Sequence, residues 1–174
     1  MPGKPKQLVV DASLAGRGSH EAREALQVIL AETGHAAVFD PKLAEEWSDH
    51  ETLFSYRWRT SMRSRRRIVM LPELSALPWE KRLKGVDLRP TQRAALEKDL
   101  HLIRAAAATD ETILSRDRKA LALFWQACSV LPDLGRIVWA NPDRPKEDVL
   151  DWLRAGAKPE ESRQIRNASA DSRA

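Results

Sequence analysis

The sequence predicts a three-layer α/β/α domain, with helices on both faces of a mainly parallel central sheet. Short β-branched runs alternate with helical patterns along the chain, which is typical of a parallel sheet. The 174 residues are 43% hydrophobic and 31% charged, which is enough for one domain with its own core. We therefore expect one domain over residues 7–157, between a flexible N-terminus (1–6) and a disordered C-terminal tail (158–174).

The first half of the chain predicts two strands and the helices that follow them. Residues 7–12 form a β-branched, buried strand, after which Ser19 is placed to cap a helix. Residues 35–40 form a second strand, and Pro41 suits the first position of the next helix. Residues 42–70 are expected to be mostly helical, with a break whose position the pattern does not fix.

The second half of the chain opens with an irregular connection over residues 71–90, because prolines and a glycine recur there. Apolar residues then return at helical spacing over residues 91–108. The remaining predicted elements are a strand over 112–117, a helix over 118–130, a strand over 136–140 and a helix over 147–155.

Two of these strands end in an aspartate, Asp11 in the first and Asp117 in the strand over 112–117. A carboxylate at the end of a buried parallel strand lies at the carboxyl edge of the sheet, where open α/β folds bind ligands. The two side chains are therefore expected to meet, and oxygen ligands suit hard cations such as Mg²⁺ and Mn²⁺. The alternative is that each aspartate simply caps the turn or helix that follows it.

Three blocks of the chain resemble a known family, the PIN-domain nucleases. The first strand of that family carries an Asp with Ser or Asn two residues later, and a later Glu precedes an aromatic residue. An Asp then opens an Ala-rich helix, followed by a strand that closes in Ser/Thr-x-Asp. The matching blocks here are 9–13, 38–47, and 99–110 with 113–117. The resemblance covers most of residues 7–120, and it rests on the order and spacing of the blocks.

The resemblance implies a Mg²⁺- or Mn²⁺-dependent endoribonuclease that hydrolyses RNA phosphodiesters, and many members of the family are toxins of toxin–antitoxin pairs. A cognate antitoxin would then be a partner. The alternatives are a non-catalytic PIN-like module that binds RNA or protein, and a phosphatase-like or receiver-like domain. The implied catalytic residues are Asp11, Glu46, Asp99 and Asp117, with Asp11, Asp99 and Asp117 as metal ligands and Ser13 and Ser115 in support.

Two of these four acids have open alternatives. Glu45 competes with Glu46, but Glu46 directly precedes Trp47 and adjoins the apolar stripe that Leu43 and Trp47 form on a helix. Asp99 is expected to open or to lie within the helix over 91–108, and an ordinary exposed helix aspartate would also explain it.

Six arginines lie close together in the stretch expected to be helical. Tyr56 and Trp58 are interleaved with them, and the whole chain carries a net charge of +4. The run is either a solvated helix face or a surface that binds the RNA backbone. Its members are Arg57, Arg59, Arg63, Arg65, Arg66 and Arg67.

Other classes of protein fit the composition less well. The single cysteine, Cys128, excludes an internal disulfide framework and a cysteine-rich zinc site. The four histidines have no metal-ligand spacing. We read neither a signal peptide nor an apolar run of membrane-spanning length, so a cytoplasmic protein is the default expectation. A homodimer is left open.

Overall fold

The computed structural model describes residues 3–174 and is built on a five-stranded sheet. The strand order is β3-β2-β1-β4-β5, and every neighbouring pair is parallel. The α/β fold predicted from the sequence is confirmed, with a sheet that is parallel throughout. The strands are Gln7–Val10 (β1), Ala36–Phe39 (β2), Ile68–Met70 (β3), Thr112–Leu114 (β4) and Val138–Ala140 (β5).

Helices form two groups around the sheet. The helices are His20–Glu32 (α1), Pro41–His50 (α2), Leu53–Ser64 (α3), Pro90–Ala107 (α4), Arg118–Ala127 (α5), Pro132–Gly135 (α6), Val149–Arg154 (α7) and Ala170–Arg173 (α8). Helix α1 packs against α3 and α7, whereas α4 packs against α5 and α2. Within the described chain, no helix is both long and apolar enough to cross a membrane.

The strand order creates a crevice at one place along the sheet. From β1 the chain runs outward through β2 to β3, and it then crosses to the other side of β1 to form β4 and β5. The connections that leave β1 and β4 therefore diverge. In open α/β sheets, ligands bind in the crevice outside the carboxyl ends of the strands at such a switch point. Asp11 follows β1 directly.

Two helix starts match their sequence signals. The Ser19 hydroxyl accepts a hydrogen bond from the backbone N–H of Ala22 at 2.9 Å, and so caps α1. Pro41 is the first residue of α2, and the Asp40 side chain accepts from the N–H of Leu43 at 2.7 Å. These caps fix where each helix begins relative to the strand before it.

The stretch over residues 42–70 is only partly the helix that the pattern predicts. Helix α2 ends at His50, Thr52 caps α3 through a reciprocal capping box with Ser55, and the stretch closes in strand β3. Strand β3 is not recognisable in the sequence pattern, because it has only three residues and directly follows an arginine run. Arg66 turns the chain out of α3 with a positive φ of 56°.

Residues 158–174, predicted as a disordered tail, instead fold against the domain. Ile165 is fully buried, Gln164 forms an antiparallel bridge with Val138, and the Arg163 guanidinium lies 4.8 Å from the centre of the Trp152 ring. A single buried isoleucine gives no periodicity, so the sequence pattern could not reveal this packing. Of the predicted flexible N-terminus, residues 1 and 2 lie outside the described residues.

Candidate acidic site

A pocket of about 460 Å³ lies at the carboxyl edge of the sheet and contains all four predicted acids. These acids come from four places: the end of β1, helix α2, helix α4 and the start of α5. We call this the acidic pocket. Its lining residues are Asp11, Ala12, Ser13, Gly16, Glu46, Asp49, His50, Lys98, Asp99 and Asp117.

Asp11 is the most buried of these acids, with 8% of its surface exposed. Its carboxylate accepts a hydrogen bond from the Ser115 hydroxyl at 2.7 Å. Burial raises the pKa of Asp11 above its ordinary value, and the charge of Asp117 adds to the effect. The hydroxyls of Ser13 and Ser115 act in the opposite direction because they stabilise the charged form.

Asp117 caps a helix, as one interpretation of the sequence predicted, and its role as a metal ligand stays a prediction. Its side chain caps α5 by accepting from the backbone N–H of Ala120 at 2.9 Å, and the same residue lines the acidic pocket. Ser115 links the two aspartates, because its hydroxyl also accepts from the N–H of Asp117 at 3.0 Å. Ser13 accepts from the N–H of Arg116 at 2.9 Å. The two serines therefore connect the loops that carry Asp11 and Asp117.

The register expected for α2 is confirmed by burial. Leu43 and Trp47 are fully buried, as expected for residues four apart on one helix face. Glu46 is half-buried and lines the acidic pocket, whereas Glu45 is exposed. Consecutive helix residues point about 100° apart, so only Glu46 of this pair is directed to the pocket.

His101 is a neighbour of the site that the sequence analysis did not identify. It is buried, and its Nε2 atom lies 3.0 Å from Oε2 of Glu46 while Nδ1 lies 3.0 Å from the carbonyl oxygen of Lys98. Burial acts to raise the pKa of Glu46, but His101 and the nearby Lys42 and Lys98 outweigh it and hold that pKa below its ordinary value. The pairing spans 55 residues, so no local motif could predict it.

Asp99 lies within α4 and does not open it, because that helix already begins at Pro90. This placement departs from the family pattern described above. The residue is half-buried and faces the acidic pocket, so it is not an ordinary exposed helix aspartate. Burial, together with the charges of Asp117 and Asp11, raises the pKa of Asp99 to about 6.

The raised pKa of Asp99 predicts that Asp99→Asn stabilises the metal-free protein. The folded state holds the Asp99 proton more tightly than the unfolded chain, so the charged form destabilises the fold above about pH 6, and this penalty fades toward pH 4. After a discount for solvent screening, the charged form of Asp99 lowers the free energy of unfolding by roughly 1–2 kcal/mol at pH 8. This corresponds to roughly 3–6 °C in Tm. Thermal unfolding in EDTA at pH 8 and pH 4 measures the difference.

The matched control for Asp99→Asn is Glu97→Gln, an exposed position on the same helix, which is expected to leave Tm unchanged at both pH values. Equal stability of parent and Asp99→Asn at pH 8 would contradict the electrostatic account of the acidic pocket.

The donors of the acidic pocket match a hard divalent cation in chemistry. All four acids offer carboxylate oxygens, and Asp11, Asp99 and Asp117 are close enough to influence one another's charge. Within residues 3–174, however, no group of three or more His, Cys, Asp or Glu side chains is arranged so that it could hold a metal ion. The carboxylates thus line one pocket without being arranged as a complete set of metal ligands. Repulsion between their like charges favours keeping them apart.

The arginine run does not form one surface beside the acidic pocket. Arg65 and Arg67 donate to the carbonyl oxygen of Leu30 at 2.8 and 3.0 Å, and Arg67 also donates to that of His35 at 2.8 Å. These carbonyls lie at the end of α1 and just before β2. Both arginines therefore stabilise the opposite, amino edge of the sheet.

Other members of the run also have contacts within the domain. Arg59 donates to Glu51 at 2.9 Å. Trp58, which the RNA-binding alternative counted as part of the surface, is 2% exposed and donates to the carbonyl of Leu26. Four arginines of the run are exposed, and RNA binding stays a prediction for them. They are Arg57, Arg63, Arg65 and Arg66.

The fold and the pocket define a class of protein: a parallel α/β domain with an acidic pocket at its switch point. No family model, curated protein or solved structure matches this chain. The likeness to PIN-domain nucleases is therefore carried by the three sequence blocks quoted above. A function has to be argued from the acidic pocket itself.

Proposed function

We propose that this protein is a divalent-metal-dependent ribonuclease of the PIN-domain type that uses the acidic pocket. The observation that carries the proposal is the convergence of Asp11, Glu46, Asp99 and Asp117 from four separate elements on one pocket. The pocket lies outside the carboxyl ends of β1 and β4, where this class of sheet binds ligands. Burial in the pocket, with a smaller effect of the neighbouring carboxylate charges, raises the pKa values of Asp11 and Asp99, and such shifts are typical of functional sites.

In this proposal Asp11, Asp99 and Asp117 hold a Mg²⁺ or Mn²⁺ ion, which supplies charge stabilisation and an activated water when bound. Asp117 is fixed by its cap on α5 and Asp11 by Ser115. Glu46 is kept in its charged form by His101, and it is placed to orient a water or to accept its proton.

The second candidate is a non-catalytic PIN-like module that binds RNA or protein. The observation that favours it is the absence, in the described part of the chain, of a group already arranged to hold a metal. A binding module has no need of such a group. The two candidates differ in what Mn²⁺ does, because only the nuclease depends on it.

The deciding experiment titrates Mn²⁺ and Mg²⁺ into the purified chain by calorimetry and follows the cleavage of labelled single-stranded RNA. The nuclease proposal expects metal binding near one equivalent and cleavage that EDTA abolishes. RNA binding without cleavage at any metal concentration would favour the binding module. Growth arrest on expression, relieved by the product of a small neighbouring reading frame, would support a toxin role with an antitoxin partner.

The two adjacent glutamates of α2 provide an internal test of the pocket. Glu46→Gln is expected to lower single-turnover cleavage about 10–100-fold, the usual effect of losing an outer ligand or orienting group. Glu45→Gln, a matched change at the exposed neighbour, is expected to stay within about twofold of the parent because it does not face the pocket. Damage by Glu45→Gln alone would show that α2 is turned differently from the structure described above.

A further inference from the structure

Arg116 directly precedes Asp117, yet its charge is directed away from the acidic pocket. Its Nε atom donates to Oδ2 of Asp143 at 2.6 Å, and its Nη1 atom donates to the carbonyl oxygen of Ser13 at 3.1 Å. Neither Arg116 nor Asp143 lines the acidic pocket. The guanidinium is therefore not placed to neutralise the four acids as a counter-ion. Instead it connects Asp143 to Ser13.

Asp143 is bound on both of its carboxylate oxygens. Oδ2 accepts from Arg116, and Oδ1 accepts from the hydroxyl of Ser19, which caps α1. The backbone N–H of Asp143 donates to the Asn141 side chain at 3.0 Å. The Arg116 and Asp143 side chains are 23% and 25% exposed, so solvent screens the pair only in part. Contacts with Ser19 and Asn141 thus hold Asp143 in place independently of Arg116.

The pair joins the loops that follow three adjacent strands. Ser13 lies in the loop after β1, Arg116 in the loop after β4, and Asp143 in the loop after β5. Ser13 is held twice, because its hydroxyl accepts from the Arg116 N–H while its carbonyl accepts from the guanidinium. Ser13 is two residues from Asp11 and Arg116 is one residue from Asp117. The Arg116–Asp143 pair consequently ties together the two loops that deliver these aspartates.

We infer that Arg116 and Asp143 are positioning residues for the acidic pocket and set the separation of Asp11 and Asp117. The inference rests on the proposed nuclease function. Asp11 and Asp117 lie on two loops that Arg116 joins through Ser13 and Asp143, so the separation of their carboxylates depends on those loops. A misplacement of about 1 Å at a reacting centre costs about a hundredfold in rate, and outer-shell partners of metal ligands contribute about 10–100-fold.

The experiment compares Arg116→Gln, Asp143→Asn and the double variant by Mn²⁺ calorimetry and by steady-state cleavage of single-stranded RNA. Each single variant is expected to lower Mn²⁺ affinity and kcat about 10–100-fold, with KM for RNA within about twofold of the parent. The double variant is expected to have Mn²⁺ affinity and kcat no lower than those of the more impaired single variant, because the two side chains act as one unit. Arg116→Lys, which keeps the charge but loses the two-pronged contact, is expected to recover only part of the loss.

The matched control is the Arg104–Glu80 pair, which is also part-buried and in which two guanidinium nitrogens donate to the carboxylate at 3.0 and 2.6 Å. Neither of its side chains lines the acidic pocket. Arg104→Gln is expected to lower Tm without changing Mn²⁺ affinity. If the role of Arg116 were merely structural, Arg116→Gln would show the same pattern.

Three outcomes overturn the inference. Parent-like Mn²⁺ affinity and kcat in Arg116→Gln, in a parent that cleaves RNA, reject it while leaving the proposed function in place. Additive losses in the double variant reject the action of the pair as a unit. A parent that neither binds Mn²⁺ nor cleaves RNA rejects the proposed function, and this inference with it.

Discussion

Replacing Asp11 by asparagine is expected to reduce metal-dependent RNA cleavage at least about a hundredfold, which corresponds to roughly 2.7 kcal/mol of transition-state stabilisation. Asparagine keeps the shape of the side chain and an oxygen that can accept from the Ser115 hydroxyl, but it removes one charge from the acidic pocket. The rate is measured in single-turnover reactions with saturating Mn²⁺, and Mn²⁺ affinity by calorimetry.

The fold of Asp11→Asn is expected to survive. Burial raises the pKa of Asp11, and the charges of Asp117 and Glu46 add to this effect. The charged carboxylate therefore destabilises the folded state. Removing that charge is expected to leave Tm equal or higher. A loss of activity with unchanged or raised Tm separates a role in the reaction from a role in folding.

The matched control is Asp110→Asn. Asp110 precedes β4 and accepts from the backbone N–H of Gln7 at 2.7 Å, so it lies at the amino edge of the sheet, away from the acidic pocket. Asparagine can keep that contact, and cleavage by this variant is expected to equal that of the parent. Unchanged cleavage by a clean preparation of Asp11→Asn would reject the proposed mechanism.

The residues that the sequence placed well are those whose position follows from strand direction or helix period. Asp11 directly follows β1, and parallel strands bring such ends to one edge. Asp117 lies at the same edge, although β4 ends at Leu114 and not at residue 117 as predicted. The choice of Glu46 over Glu45 follows from the spacing of Leu43 and Trp47. Each of these inferences needs only local sequence and one geometric rule.

The features that the sequence could not place depend on contacts between distant segments. His101 belongs to the site through Glu46, which lies on another helix. Arg65 and Arg67 looked like members of one basic surface, but the carbonyls at the end of α1 hold them at the amino edge of the sheet. Strand β3 has only three residues. Neither charge density nor a short apolar run specifies which distant residue a side chain will contact. Periodicity therefore cannot predict the structure at these positions.

Trp47 connects the stability of the fold to the position of Glu46. The ring is fully buried, lies edge-on to Phe39 and stacks on Trp58, with ring centres 5.4 Å apart in both pairs. Its indole N–H donates to the carbonyl oxygen of Val10 at 2.8 Å. Because Val10 is the residue before Asp11 and Trp47 is the residue after Glu46, this contact fixes α2 to the end of β1.

Trp47→Ala is therefore expected to cost about 3–5 kcal/mol in the free energy of unfolding, the range for removing a large buried aromatic side chain. Trp47→Phe keeps most of the apolar volume but removes the indole donor, and is expected to cost about 1–3 kcal/mol. Urea titrations monitored by circular dichroism measure both values. The control is Trp125→Ala at a position that is 37% exposed, where about 1–2 kcal/mol is expected because less apolar area is lost.

The functional part of this prediction concerns Trp47→Phe under conditions where it is folded. If the indole contact with Val10 holds α2 against β1, Glu46 should lose its position, and single-turnover cleavage should fall about 10–100-fold while the Mn²⁺-free fold persists. Trp58 also donates to a backbone carbonyl, that of Leu26 in α1, which lies outside the acidic pocket. Trp58→Phe is accordingly expected to lower stability but not cleavage in the folded protein. Equal cleavage by both variants would show that the contact between Trp47 and Val10 serves folding alone.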